Sequence, residues 1–436
     1  MYSPQAQEER GVEDVQLPRA WGVVGILFVL NVLSVVDRNV FAVLIPEIKA
    51  DLNLSDFEVS TLHGFAFALF YASMGIFVGG LIDRNPRRLI LYIGVTVWSL
   101  PAALSGLAAS FVQMFLARMT IGIGEATVSP GSQSILSDYF PRKRLTSAIA
   151  IAVIAGGSLG AGLSFFLGGV LLEYFIKHPL MDLAPWRQVL IVTGAPGVLL
   201  AFLVLAFREP ARRGAAAGDT PMDIRTFAAT VIRERRVVGN LLAAFSMGAI
   251  VAVTSQAWGP TFARRVLGAS AADVGSVLGL IFAVGGLISI MGTGFLVDTL
   301  IGRGIRDAAL RVYGASLLVS VPVSVVGYLS ENLVLFYVSV ALTHFCMAGA
   351  FGPAFAAIQM ISPARARGRM AALLLLSTTI MAMAVGPMIV GLLTDEVFAA
   401  PEKLGWSITT VMVISGVLSL IFLYRAAGEF RARMAG

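Results

Sequence analysis

The 436-residue chain is 57% hydrophobic and 13% charged, and it carries a formal net charge of +6. A soluble domain is about 45–50% apolar and about 25% charged, so much of this chain must face lipid. The charge does not indicate a nucleic-acid-binding protein, because most basic residues lie in short connections between apolar stretches and form no basic face.

Twelve apolar stretches follow one another along the chain, each about long enough to cross a bilayer core. They are predicted at 20–46, 57–82, 88–108, 111–137, 145–173, 187–207, 237–262, 272–298, 309–329, 332–361, 370–394 and 405–425. The arginine-rich stretch 208–236 divides them into six-helix halves at 20–207 and 237–425, with tails at 1–19 and 426–436. We therefore predict an all-α membrane protein of twelve transmembrane helices in two pseudo-symmetric halves.

The positive charges predict the orientation of these helices. The tails and the even-numbered connections contain 24 of the 32 lysines and arginines, the odd-numbered connections contain 6, and Arg38 and Arg118 lie inside spans. Basic residues near membrane spans concentrate on the cytoplasmic side. Both termini are therefore predicted to be cytoplasmic, in an integral plasma-membrane protein.

A spaced pattern recurs about half a chain apart. Gly79-x-x-x-Asp83 ends the second span and Gly294-x-x-x-Asp298 ends the eighth. Duplicated halves usually hold a substrate site between them at mid-membrane depth, which is reached by rocking of the halves. For any single glycine, close helix packing is the simpler explanation, but the matched Gly–Asp pairs favour a true repeat.

Ionisable residues inside spans are the strongest functional signal, because each costs at least about 2.5–3.5 kcal/mol to bury. Four lie deep in the N-terminal half, Asp37 and Arg38 in the first span and Arg118 and Glu125 in the fourth. We predict that the two helices converge on a shared cavity where a carboxylate alternates between pairing with arginine and being protonated. A static ion pair that joins two helices is the alternative.

The C-terminal half offers only uncharged counterparts to these groups. Gln256 in the seventh span and His344 in the tenth occupy the positions that a half-chain offset selects. They are predicted to line the C-terminal side of the cavity. A lone histidine in an apolar helix is more often a packing residue, so proton coupling is predicted in the N-terminal half.

The connection between the second and third spans carries the most specific motif. Its predicted gate residues are Gly79, Asp83, Arg84, Arg87 and Arg88, with Asp138 of the fourth span as a partner of Arg87 or Arg88. A carboxylate at a helix C-terminus opposes the helix dipole and needs a compensating partner. Such a partner lies at the start of the eleventh span, which carries Arg365, Arg367 and Arg369. We predict a cytoplasmic latch between the second and eleventh helices, with plain topology signals as the alternative.

Catalytic and cofactor chemistry is not expected from this sequence. The single cysteine, Cys346, and three scattered histidines form no metal-ligand spacing. No Gly-Lys pair exists for an ATP-binding Walker A loop. Gly156-Gly157-Ser158-Leu159-Gly160 matches a hydrolase motif by letter only, because it lies inside an apolar helix. We therefore expect no enzyme, no metal and no cofactor.

These motifs resemble the major facilitator superfamily across essentially the whole chain, with Gly79 to Arg88 matching its cytoplasmic signature except at Pro86. Further stretches resemble the spinster family more narrowly. They are Val36-Asp37-Arg38-Asn39, Leu54-Ser55-Asp56, Arg118 to Ala126, Ser137-Asp138-Tyr139-Phe140-Pro141 and Arg208 to Gly214. The compact loops suggest a bacterial inner-membrane member.

The resemblance implies proton-linked transport by alternating access, with Asp37, Arg38 and Glu125 at the family's membrane-embedded charged positions. An amphipathic anion such as a lysophospholipid or sphingoid phosphate is the expected substrate, with Arg38 and Arg118 at its headgroup. A proton-driven drug or metabolite exporter is the alternative, and a non-transporting receptor is a third. The expected partners are this substrate, protons and membrane lipids, with no nucleic acid, and we expect a monomer.

Overall fold

The computed structural model describes residues 4–180, 182–210 and 224–435, and within these ranges the chain is helical without a strand. Eleven helices of the described chain are long and apolar enough to cross a membrane. We number the spans α1–α12 and reserve α4 for the interrupted segment described next. The eleven are α1 Pro18–Asp51, α2 Asp56–Ile82, α3 Arg87–Leu107, α5 Arg144–Lys177, α6 Pro185–Ala206, α7 Arg235–Arg265, α8 Ala271–Gly302, α9 Ala308–Leu329, α10 Leu333–Ile361, α11 Arg367–Val397 and α12 Pro401–Arg433.

The predicted fourth span is present but interrupted. α4 consists of two arms, Phe111–Glu125 and Val128–Tyr139, separated by a turn at Ala126 and Thr127. Pro130 explains the position of the break, because a proline lacks the N–H for the preceding turn and clashes with the carbonyl four residues earlier. With this segment the described residues contain the twelve membrane-length segments that the sequence predicts.

The ends of the chain differ from the predicted tails. The first helix begins at Pro4, well before the predicted span, and the last one continues from Leu404 to Ala435. Phe430 is fully buried and Arg433 forms an ion pair with Glu234, so the segment predicted as a C-terminal tail is packed against the start of α7.

The second and fifth helices of each half each contain a π-helical turn. These turns are Thr61–Phe65 in α2, Ala150–Ala155 in α5, Ile281–Gly285 in α8 and Ile380–Val385 in α11, and α11 has a further one at Leu393–Val397. Gly64 of the α2 turn contacts the carbonyl of Met383 in the α11 turn, and Phe165 of α5 stacks on Phe282 of the α8 turn at 4.7 Å. The recurrence fits a repeat, and the two halves meet along α2–α11 and α5–α8.

The two ends of the bundle are packed differently. The linker end holds residues 208–210 and the linker helix Ile224–Arg233, and the opposite end holds the α1–α2 and α7–α8 connections. At the opposite end the halves touch closely, since a Cβ on Gly391 would lie 2.6 Å from the carbonyl oxygen of Asp56. At the linker end a cleft of about 620 Å³ separates α2 and α4 from α11. Gly75 and Gly368 line this cleft, and a Cβ on either would have no heavy atom within 4 Å.

Candidate functional site

Arg38 and Glu125 form an ion pair between α1 and the first arm of α4. Nη2 of Arg38 lies 2.8 Å from Oε2 of Glu125, and the same oxygen accepts a 2.8 Å hydrogen bond from the Ser34 hydroxyl. The Glu125 carboxylate is fully covered, whereas the Arg38 side chain is 20% exposed. Oε1 of Glu125 and Nε of Arg38 are buried without a hydrogen-bond partner in the described chain. One carboxylate oxygen and one guanidinium nitrogen of the pair therefore have no hydrogen-bond partner in the described chain.

Asp37 is hydrogen-bonded to α3, whereas the neighbouring Arg38 is bonded to α4. Nε1 of Trp98 in α3 donates to Oδ2 of Asp37 at 3.2 Å, and Oδ1 is buried without a partner in the part of the chain that the structure describes. Residues adjacent in a helix point about 100° apart, so Asp37 and Arg38 face different neighbours. Asp37 is a buried carboxylate that has a neutral donor and no described ion pair.

Arg118 does not contact either carboxylate directly. Its guanidinium group faces backbone carbonyl oxygens, at 3.4 Å from Leu62 and from Asp37 and 3.2 Å from Arg38. It also lies over the ring of Phe41, 4.3 Å from the centroid. Arg118 lies between α1, α2 and α4, and 2% of its surface is exposed in the described conformation. Its predicted contact with a substrate headgroup stays a prediction.

Two aromatic residues of α2 complete the surroundings of Arg38, and sequence reasoning missed them. Its guanidinium carbon lies 4.9 Å from the ring centroid of Phe67 and 5.5 Å from that of Tyr71. Cations are attracted to the faces of aromatic rings. Residues four apart lie on the same face of a helix, and the rings of Phe67 and Tyr71 stack with their centroids 5.3 Å apart. This spacing could have identified the pair from the sequence.

Gln256 and His344 line one cavity in the C-terminal half, of about 300 Å³. Its other walls are largely apolar, and Nε2 of His344 is buried without a hydrogen-bond partner in the described chain. Leu375 and Thr379 line both this cavity and the cleft at the linker end. The structure therefore places an apolar C-terminal wall beside a cleft whose N-terminal wall contains Tyr71.

The predicted gate motif forms a cluster within the N-terminal half. Arg87 forms an ion pair with Asp138, donates from Nε to Glu209 at 2.8 Å, and donates to the carbonyl of Pro210 at 2.8 Å. Arg88 instead bonds the carbonyl of Phe207 at 2.9 Å. These contacts join α3, α4 and the segment after α6, so the two arginines connect parts of one half rather than the two halves.

The other residues of that motif take no described part in this cluster. The side chain of Asp83 lies outside the described residues, so its predicted contact with α11 stays a prediction. Arg84 is exposed at the end of α2, and Gly79 has no heavy atom within 4 Å of an added Cβ. Glu209, which the sequence analysis did not select, supplies the second carboxylate for Arg87.

Ion pairs at the opposite end join the two halves directly. Nη1 and Nη2 of Arg265 in α7 donate to the Asp56 carboxylate of α2 at 2.7 and 2.9 Å, and Nζ of Lys49 lies 2.6 Å from the same carboxylate. Arg264 likewise binds Glu47. Asp395 of α11 accepts from the backbone N–H groups of Asp56 and Phe57, at 3.1 and 2.6 Å. These contacts hold the opposite end closed.

Sequence reasoning missed this second cluster although a signal was present. Six basic residues lie in the odd-numbered connections, against the general charge distribution. Five of the six form ion pairs in the described chain, namely Lys49, Lys177, Arg187, Arg264 and Arg265. Basic residues in connections that otherwise contain few of them are thus candidates for specific contacts.

Comparisons with known proteins agree with this architecture. A model described as Major Facilitator Superfamily matches residues 27–323. An MFS-type efflux pump from Mycolicibacterium smegmatis is 29% identical, over 99% of this chain and 98% of the pump. Protein spinster from Drosophila melanogaster is 27% identical over 69% of this chain and 49% of that protein, so the chain spans about half of that relative.

A solved structure extends the comparison to the fold. A bacterial homolog of the human lysosomal transporter spinster, in an inward-facing and unoccupied conformation, matches with a TM-score of 0.76 and 24% identity, covering 96% of this chain and 97% of that one. At this identity the likeness shows the fold alone. Together with the family model, it confirms the predicted superfamily and a transporter rather than an enzyme. The chain belongs to the Major Facilitator Superfamily.

Proposed function

We propose that the chain is a proton-coupled secondary transporter for an amphipathic anion such as a lysophospholipid or a sphingoid phosphate, and that it works by alternating access. The observation that carries this proposal is the partly exposed Arg38, which is paired with the covered Glu125 and lies over the rings of Phe67 and Tyr71. In this proposal Arg38 binds either Glu125 or a substrate anion that reaches it from the cleft past Tyr71.

This sharing provides a physical route to coupling. A headgroup that binds Arg38 weakens the ion pair with Glu125, and a buried carboxylate without its cation favours the protonated form. Protonation of Glu125 in turn frees Arg38 for the anion. Because binding linkage is reciprocal, proton and anion favour each other's binding. Asp37, which Trp98 holds without an arginine, is the second proposed proton site.

The orientation is part of the proposal. The linker end carries the excess of basic residues, which supports a cytoplasmic location for this end and for both termini. With that orientation the described state is open to the cytoplasm and closed outside. A bacterial inner membrane remains the proposed location. One chain supplies both walls of the cleft, which supports a monomer as the working unit.

Substrate-dependent proton movement in proteoliposomes tests the proposal. Lysophosphatidate added to the wild-type protein should move protons in proportion to substrate, and substrate affinity should rise as the pH falls. An uncharged monoacylglycerol of equal chain length is the control and should move none. Saturable lysophosphatidate transport with no proton movement at any pH would contradict coupling, and the absence of saturable transport would contradict the substrate class.

A drug or metabolite exporter is the second candidate. It is supported by the match to an efflux pump over nearly the full length of both chains and by the largely apolar C-terminal cavity. Counterflow with a panel of hydrophobic drugs separates the two candidates. Drug counterflow without lysophosphatidate counterflow would favour the exporter.

A further inference from the structure

The cleft at the linker end contains one charged side chain that the proposed mechanism does not use. Of the described residues that line the cleft, Arg369 alone is charged. Its Nη1 is buried without a hydrogen-bond partner in the described chain. An arginine with a free donor in an otherwise uncharged cavity favours a ligand that brings its own negative charge.

The walls around Arg369 define what else such a ligand would contain. Ser129 and Gln133 of the second α4 arm line the same cleft, and Nε2 of Gln133 donates to the Ser129 hydroxyl at 3.0 Å. Leu373 and Leu376 of α11 supply apolar surface. Phe227 of the linker helix is half-buried and also lines the cleft, so the segment between the halves contributes to its wall.

The cleft also leads toward Arg38. Tyr71 is one of its lining residues, and the Tyr71 ring lies 5.5 Å from the guanidinium carbon of Arg38. An anion in the cleft meets Arg369 of α11 at the cleft wall, and Arg38 lies on the other side of Tyr71, outside the lining of the cleft.

We propose that Arg369, with Ser129 and Gln133, forms an outer binding site for the anionic headgroup of the substrate, and that Phe227 of the linker helix contacts its apolar part. This inference rests on the proposed function, because it assigns the same amphipathic anion to a second site. The headgroup binds Arg369 when it enters the cleft and is then transferred to Arg38. The linker helix thereby takes part in substrate recognition as well as joining the halves.

Equilibrium binding of 1-oleoyl lysophosphatidate to protein in phosphatidylcholine nanodiscs tests the proposal, with uncharged 1-oleoylglycerol as the analogue. Arg369→Gln should weaken lysophosphatidate binding roughly tenfold, as expected for loss of a charge-assisted hydrogen bond, and leave the glyceride unchanged. Gln133→Leu is an independent variant and should weaken lysophosphatidate a few-fold. Arg303→Gln, at an exposed residue between α8 and α9, is the matched control and should change neither.

The linker helix has its own pair of variants. Phe227→Ala should weaken the binding of both lipids about equally, whereas Ile232→Ala, at a residue that is 60% exposed on the same helix, should weaken neither.

Equal weakening of both lipids by Arg369→Gln would overturn the proposal, because the guanidinium would then act on the shape of the cleft. Normal affinities in both Arg369→Gln and Gln133→Leu would overturn it as well.

Failure of the outer site and failure of the proposed function give different results. If wild-type protein binds lysophosphatidate and Arg38→Gln weakens this binding but Arg369→Gln does not, only the outer site is wrong. If the wild-type protein shows no saturable lysophosphatidate binding, the substrate class is wrong and the outer site is wrong with it.

Discussion

Asp37 and Arg38 are adjacent in α1, yet they bind different helices of the same half. Trp98 of α3 donates to Asp37 at 3.2 Å, and Arg38 binds Glu125 of α4 at 2.8 Å. The two carboxylates therefore sit in separate environments, one with a neutral donor and one with a cation. Each can be altered without removing the other's partner.

The first prediction uses this separation. Asp37→Asn and Glu125→Gln keep size and hydrogen bonding but cannot release a proton. We expect each to reduce substrate-dependent proton flux at least tenfold. Asp37→Asn should retain wild-type substrate affinity, because Arg38 and Glu125 are untouched. The measurements are proton flux in liposomes across a pH series and substrate binding to purified protein.

Trp98→Phe provides the control for Asp37. It removes the 3.2 Å hydrogen bond without changing a charge, so proton flux should keep its size but change its pH dependence. Wild-type proton flux in both carboxylate variants at every pH would make the charges structural.

The second prediction concerns the closed opposite end. Arg265→Gln removes a two-nitrogen contact with Asp56, whose carboxylate is fully buried. Paired guanidinium–carboxylate contacts are among the stronger polar interactions. We expect the population with this end open to rise about tenfold, which corresponds to about 1.4 kcal/mol. Distances between spin labels at Asn53→Cys and Glu331→Cys, in a Cys346→Ser background, report the populations.

Arg187→Gln is the matched control for Arg265. Arg187 binds Asp51 at 2.7 Å at the same end, but both residues belong to the N-terminal half. Its loss should leave the label distances unchanged. An equal response in the two variants would indicate a general loss of stability rather than opening between the halves.

The third prediction concerns the contact between α3 and α4. A Cβ on Gly124 would lie 2.7 Å from the carbonyl oxygen of Gly94 and 2.7 Å from the backbone nitrogen of Trp98. Overpacking of this kind costs about 1–3 kcal/mol. Gly124→Ala should lower the melting temperature and, by displacing Trp98 from Asp37, reduce proton flux. Gly157→Ala, where no heavy atom lies within 4 Å, should do neither.

The fourth prediction concerns Glu209, which lies outside the spans. Partial burial raises the pKa of its carboxyl, but hydrogen bonds from Arg87 and from the backbone N–H of Arg88 outweigh burial, so the pKa is lower than usual. The stabilisation is therefore complete above the ordinary glutamate pKa of about 4.3 and is lost as the pH falls through the lowered value.

Melting temperatures between pH 7 and pH 3 test this dependence. Glu209→Gln should melt below wild type at pH 7, and the difference should shrink as the pH falls. Glu402→Gln, at an exposed residue near the other end, should show no such trend. A difference for Glu209→Gln that is constant with pH would contradict the assignment.

The fifth prediction concerns orientation. Single cysteines at exposed positions of the two ends are labelled with a membrane-impermeant maleimide. Reaction from the cytoplasm alone is expected for Pro86→Cys, Arg144→Cys and Arg365→Cys. Reaction from outside alone is expected for Asn53→Cys, Leu180→Cys and Glu331→Cys. The opposite pattern would invert the proposed orientation and leave the fold intact.

Most of the fold was predictable because lipid imposes a simple length rule on helices. The sequence located all twelve segments, but it did not predict the break in α4. A continuous apolar pattern concealed the effect of Pro130, which explains the interruption of the helix between Glu125 and Val128. The long last helix was missed for another reason, since Phe430 and Arg433 are stabilised by tertiary contacts that no local pattern records.

The charged residues of the site could be selected from the sequence, but most of the groups that they contact could not. Asp37, Arg38, Arg118 and Glu125 were selected because buried ionisable groups are rare. Their pairing depends on contacts between distant segments, such as Trp98 with Asp37, 61 residues apart. The contacts of Arg118 could not be predicted either, because its guanidinium group faces backbone carbonyl oxygens of α1 rather than a side chain.

The unequal packing of glycines at the two ends affects how mutational surveys of this protein should be interpreted. Alanine at Gly75 or Gly368 meets no neighbour in the described state, so a screen that scores melting would pass both substitutions as neutral. If the cleft closes during the cycle as the other end opens, the same methyl groups obstruct closure, and a screen that scores growth or turnover would reject them. A substitution that is neutral in a stability assay is therefore shown to be tolerated only in the conformation that the protein adopts in that assay.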